Sequence, residues 1–109
     1  MINDFKRIEP WFGEIGITKE WLYVLANGTT EFYNNTIVNH MYENGYLIIN
    51  SGAIDNKEFS ISAIKRIIRL FSGVNNVIIS SSNIKIMDTM LNKYGFHYYK
   101  DLKSYIRST

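Results

Sequence analysis

The side chains best suited to moving a proton in this chain are His40, Glu43 and Tyr98. His40 lies in a β-branched and aromatic run just before Asn44-Gly45. An imidazole titrates near neutrality, so it can act as a base or water relay that deprotonates an amine. The plainer reading is a half-exposed, hydrogen-bonding strand histidine. Glu43 and Asp55 flank the run from Tyr46 to Ser51. A carboxylate at the end of a central strand can serve as a base, but a solvated turn is the default reading of both. Tyr98 and Tyr99 can each supply a proton, although one of an alternating pair belongs to the core. His97 stands far from His40 in sequence, no carboxylate cluster accompanies either, and there is no Cys. No metal site is therefore expected.

Local patterns predict the elements that would carry these groups. Thr18 can cap a short helix over 19–26 that Asn27-Gly28 ends. Strands follow over 29–33 and 36–42. The Glu43-Asn44-Gly45 turn then leads into a strand over 46–51 that is apolar on both faces and so belongs in the middle of a sheet. Ile61, Ile64, Ile67, Ile68 and Phe71 recur at helical spacing and Gly73 closes that helix. Residues 76–80 read as a buried strand. Ser81 or Ser82 can cap a helix with the stripe Ile84, Met87, Met90, Leu91 and Tyr94, ended by Gly95. Two last strands, 96–99 and 104–107, enclose the Lys100-Asp101 turn. Residues 5–17 suit an irregular or short-strand segment. The expectation is one α+β domain spanning 1–109.

Composition excludes several classes. The chain has 109 residues, 46% of them hydrophobic, enough to fill a core and too many for a disordered segment. A formal charge of +2 is too small to imply a polyanion surface, so nucleic acid is not an expected partner. No apolar run approaches the length of a membrane span, and the first residues lack a secretory h-region. A cytoplasmic setting is expected. Abundant Ile, Asn, Lys and Tyr with one Pro suggest an AT-rich genome, such as that of a phage, which would place the protein in host cytoplasm or virion.

Strands, helix, strand, helix and two strands, with Met90-Leu91-Asn92-Lys93-Tyr94-Gly95-Phe96 at the last helix end, resemble the C-terminal two-thirds of the GCN5-related N-acetyltransferase (GNAT) fold. In that signature Gly supplies the left-handed cap and Phe starts the next strand inside the core. The resemblance implies a mixed, mostly antiparallel sheet flanked by helices, with a reduced N-terminal part. It also leads us to expect the strand beginning at Phe96 beside the strand at Asn76, and the family reading fails if that pairing is absent. Its cofactor would be acetyl-CoA. Ile49 and Ser51 on the strand over 46–53 would hold the pantetheine, and Lys57, Ser60 and Ser62 the pyrophosphate at a helix N-terminus. Asn83, one place out of register, would touch the arm.

The residues leave two functions open. Ser60 and Ser62 stand where the family's loop has small glycine-type residues, and Leu91 stands where its general acid is usually Tyr. Asp55 and Glu58 also fit a capping box, which would start the helix at about 56 and form no cradle. One reading is an acetyl-CoA-dependent N-acetyltransferase acting on an amine or protein, with His40 or water as base. The other is a non-catalytic GNAT-like binding or structural protein without cofactor, with a virion, host-takeover or anti-defence role. Lys65, Arg66 and Arg69 form a basic stripe, read as a solvated face or as a contact for CoA phosphate or an acidic partner. Trp11, Trp21, Tyr33 and Tyr42 suit either a core or an interface with a protein partner or second copy.

Overall fold

The computed structural model describes residues 18–53, 59–81 and 84–109, with backbone alone at 81 and 84–87. These residues form three helices and a six-stranded mixed sheet. Helix α1 (Lys19–Asn27) begins where Thr18 Oγ1 accepts the Trp21 N–H at 3.2 Å. Strand β1 (Thr29–Tyr33), β2 (Thr36–Glu43) and β3 (Tyr46–Ala53) follow as an antiparallel meander. Asn44 and Gly45 both take positive φ, 52° and 80°, as a two-residue hairpin turn of the I′ type requires. Helix α2 (Ile61–Phe71) crosses to β4 (Val77–Ser81), which pairs in parallel with β3. Helix α3 (Ile84–Lys93) leads to β5 (His97–Tyr99) and β6 (Ser104–Arg107).

The spatial order is β1-β2-β3-β4-β6-β5, so the apolar strand β3 lies inside the sheet as its pattern predicts. One expectation fails. The strand after Phe96 does not touch β4; β6 lies between them. Burial explains the exchange. In β6 Ser104 and Tyr105 are buried and Tyr105 stands opposite Ile79, whereas all three residues of β5 are exposed. The strand with more to bury takes the inner place. The closing hairpin as a unit still lies beyond β4.

Opposed residues across the ladders share a face. On one face Val38, Leu47, Ile49, Val77 and Ile79 meet Ala63, Ile67 and Phe71 of α2 and Leu91 of α3 in the main core. Arg107 locks the end of this core. Its guanidinium donates to the carbonyls of Tyr94 at 3.0 Å and of Phe71 at 2.6 Å, and also to that of Val74. It lies 5.4 Å from the Phe71 ring centroid and 4.8 Å from that of Phe96. One charged group thus satisfies carbonyls left open at two helix ends. The opposite face carries α1, whose Val24 is buried along with Ile37 and Met41 of β2. Gly28 lets that helix approach: a Cβ there would lie 2.6 Å from the His40 carbonyl oxygen. No helix of the described residues is long and apolar enough to cross a membrane.

Candidate functional site

The predicted residues are spread over the fold rather than gathered in one site, and three places stand out. The first is the N-terminus of α2. The helix starts at Ile61 with Ser60 as its cap, so the capping-box start near 56 is not used; Asp55, Lys57 and Glu58 lie outside the described residues. Ser60 is occupied from both sides. Its hydroxyl accepts the Ala63 N–H at 3.1 Å, and its own N–H donates to Thr36 Oγ1 at 2.9 Å. Ser62 is exposed in the first turn. Ile49 is fully buried in the core, and Ser51 is buried with its hydroxyl 3.5 Å from the Ser80 carbonyl. The β3 backbone pairs with β2 over 46–53 and with β4 over 47–51, which leaves 46, 52 and 53 without a β4 partner. Asn83 lies outside the described residues.

The second place is the cluster of Glu31, Tyr33, His40 and Arg66 where α2 crosses β1. Arg66 Nε donates to Glu31 Oε1 at 2.8 Å and the Tyr33 hydroxyl donates to Oε2 at 2.8 Å. Burial raises the Glu31 carboxyl, but the bonds from Arg66 and Tyr33 outweigh it and hold the group below its ordinary value. Burial, followed by the bond to Glu31, pushes the Tyr33 hydroxyl up. Half-buried His40 is pushed down by desolvation first and by the Arg66 charge second, with Glu31 opposing. Its Nδ1 is buried without a partner. Arg66 is therefore an ion-pair partner, and the solvated basic stripe shrinks to the exposed Lys65 and Arg69.

The predicted acid–base residues do not converge. His40 and Tyr98 end one continuous row, His40–Ile49–Ile79–Tyr105–Tyr98, and four strand spacings put them roughly 19 Å apart. The Tyr98 ring lies tilted by 53° against that of Tyr105, centroids 5.0 Å apart, and the Tyr105 hydroxyl donates to Asp88 Oδ1 at 2.8 Å. Glu43 belongs to the opposite face from His40, being an odd number of residues away along β2. Leu91, at the position of the expected acid, is fully buried core. Of the four aromatics, Trp11 lies outside the described residues, Trp21 and Tyr33 are half-buried, and Tyr42 is 69% exposed.

The third place is one the sequence reasoning missed. A cavity of about 420 Å³ opens between α1 and the sheet. Val24, Met41 and Ile48 give it an apolar lining, while Asn50 and Glu43 lie toward its two ends. The Tyr23 hydroxyl donates to Glu43 Oε2 at 2.7 Å, and this bond raises the Tyr23 hydroxyl above its ordinary value. Exposed Lys19 and Glu20 form part of the wall. Asn50 Nδ2 is buried and has no partner. A signal existed: Thr30, Asn39, Asn50, Ser80, Ser104 and Tyr99 form one polar row across all six strands. Only the ladder registers align those residues. No family model, curated protein or solved structure matches the chain.

Proposed function

We propose that this chain is a GNAT-like domain that does not transfer acetyl groups and works as a binding or structural protein. The observation that carries this reading is the state of Ser60. Where the resemblance implies a cradle for pyrophosphate, the N–H of Ser60 is spent on Thr36 and its hydroxyl on the helix it caps. A phosphate oxygen there would have to displace bonds that hold the fold. Two further facts support it. Leu91 has no proton to give, and the β3–β4 ladder is closed where pantetheine would lie along β3. The place of β5, with β6 between it and β4, fails the pairing on which the resemblance is staked; the parallel β3–β4 pair with the closing hairpin beyond β4 is what still supports a GNAT-like reading.

One observation favours the second reading, an acetyl-CoA-dependent N-acetyltransferase. Helix α2 does begin at Ile61, so its positive end stands where the resemblance implies the pyrophosphate. Calorimetric titration with acetyl-CoA separates the two. The non-catalytic domain gives no saturable heat at about 1 mM ligand, and its melting temperature does not move. Binding at about micromolar affinity that Ser60→Glu abolishes, with the fold intact, would establish the cradle and overturn the proposal.

A further inference from the structure

The small overall charge hides a segregation. Residues 93–109 carry Lys93, Lys100, Lys103 and Arg107 against Asp101 alone, a net +3, so residues 1–92 carry −1 of the chain's +2. Arg107 is committed to carbonyls of the core, but the three lysines are exposed. Among the described residues none of the three forms an ion pair. In this they differ from Arg66, which Glu31 neutralises.

Aromatic rings stand among these charges. His97, Tyr98 and Tyr99 make up β5, the end strand of the sheet, and all three are exposed, Tyr99 by 48%. Tyr99 lies in one row with Ser104, Ser80, Asn50 and Asn39. The Asn39 amide donates to the Val24 carbonyl of α1, so Tyr99 and, two residues away, His97 belong to the α1 side of the sheet. Helix α1 packs on β1 and β2, and α3 meets the hairpin from the other side through Asp88 and Tyr105. Among the described residues, therefore, no helix covers His97 and Tyr99. Half-buried Ile106 and Ile78 continue this surface inward. The two side chains leave the strand roughly 7 Å apart, twice the ~3.4 Å rise between stacked bases, so one flat base fits between them. Lys93 ends α3 just before β5, and Lys100 and Lys103 lie in the turn after it, which puts cations at both ends of the rings.

We propose that the β5 edge binds a single-stranded nucleic acid. An unpaired base stacks between His97 and Tyr99, and the flanking phosphates contact Lys93 at one end and Lys100 and Lys103 at the other. Stacking needs a bare base face, which a duplex hides and a single strand presents. An acidic peptide would use the lysines and leave the rings idle. The inference deepens the non-catalytic reading and rests on it for the chain's being a binding protein. Loss of oligonucleotide binding would leave the acetyl-CoA titration untouched, so the two fail separately.

The test measures fluorescence anisotropy of labelled oligothymidylate and oligouridylate of about 12 nucleotides with the whole chain. Saturable binding is expected, and three phosphate contacts imply a roughly twentyfold loss of affinity between about 50 and about 200 mM salt. Tyr99→Ala should weaken binding about tenfold with an unchanged melting temperature, because the ring is exposed. Lys100→Gln should lower the salt slope by about a third. Lys65→Gln combined with Arg69→Gln removes exposed cations of α2, at the β1–β2 side of the sheet, and should leave the affinity within about twofold. The tighter of the two polymers names the natural strand as DNA or RNA. Full affinity in Tyr99→Ala, or an equal loss from the α2 double variant and Lys100→Gln, would mean binding by charge alone and overturn the proposal. Polyglutamate that displaces the oligonucleotide at equal charge would assign the edge to an acidic peptide instead. Capture by phosphatidylserine vesicles with no oligonucleotide binding would assign it to a lipid surface.

Discussion

The two faces of the sheet are built from the same strands and behave differently. The face under α2 and α3 is a packed core in which Phe71 meets the rings of Tyr94 and Phe96, and Arg107 ties three carbonyls together. The face under α1 buries less and keeps a cavity with an unpaired amide. Strand alternation makes the difference possible. Ile49 and Asn50 are neighbours in sequence, yet one sits in the packed core and the other lines open space. A well-filled face gives stability, and an incompletely filled one leaves room for a ligand.

Truncation is the most direct way to break this contrast. Phe71→Ala should cost about 4 kcal/mol in denaturant unfolding, since it empties the centre of the core. Met41→Ala should cost about 2 kcal/mol, the low end for such changes, because its side chain already borders open space. Equal losses would mean that the two faces are packed alike.

The junction at Ser60 gives a smaller effect. Thr36→Val keeps the shape of a fully buried side chain and removes the acceptor for the Ser60 N–H, at about 2 kcal/mol. Ser60→Ala removes the cap of α2 at about 1 kcal/mol. Thermal melting of both variants checks the structural role of this site. A melting temperature unchanged in both would return Ser60 to the cofactor reading.

The smallest effect is a pH dependence on the α2 side. The imidazole of His40 is held below its ordinary 6.5 by burial and Arg66. Between its folded value and 6.5 the unfolded chain binds the extra proton, so stability rises with pH through that window and is lower beneath it. Glu31 acts in a separate, more acidic window. Its carboxyl is held below 4.5, so its contribution is lost only as pH falls through that lower folded value. Melting temperatures at about pH 7 and about pH 5.5 should differ less in His40→Gln than in the wild type. The same drop in both proteins would assign the slope to other groups.

Much of the fold was legible because it rests on short-range rules. The Asn44-Gly45 turn, the Thr18 cap, the apolar stripe of α2 (apart from Ile61, which is exposed) and the apolar character of β3 each follow from neighbours within a turn or two of chain. The site was less legible. His40, Glu43 and Tyr98 are each chemically capable, yet they stand in three different places. Arg66 reads as solvated until β1 brings Glu31 to it across 35 positions of sequence. Which arm of the last hairpin touches β4 was also hidden, since both arms carry tyrosines and only burial against Ile79 selects Tyr105.

By itself the sequence determined the element types and their order, because periodicity, caps and turns are local properties of the chain. Tertiary structure decided which residues meet: the ladder registers that align Asn50 with Asn39 and Ser80, the helix crossing that pairs Arg66 with Glu31, and the gap beside α1. A register slip of one residue exchanges every side chain between the two faces, so no local pattern can specify a site assembled from two strands and a helix.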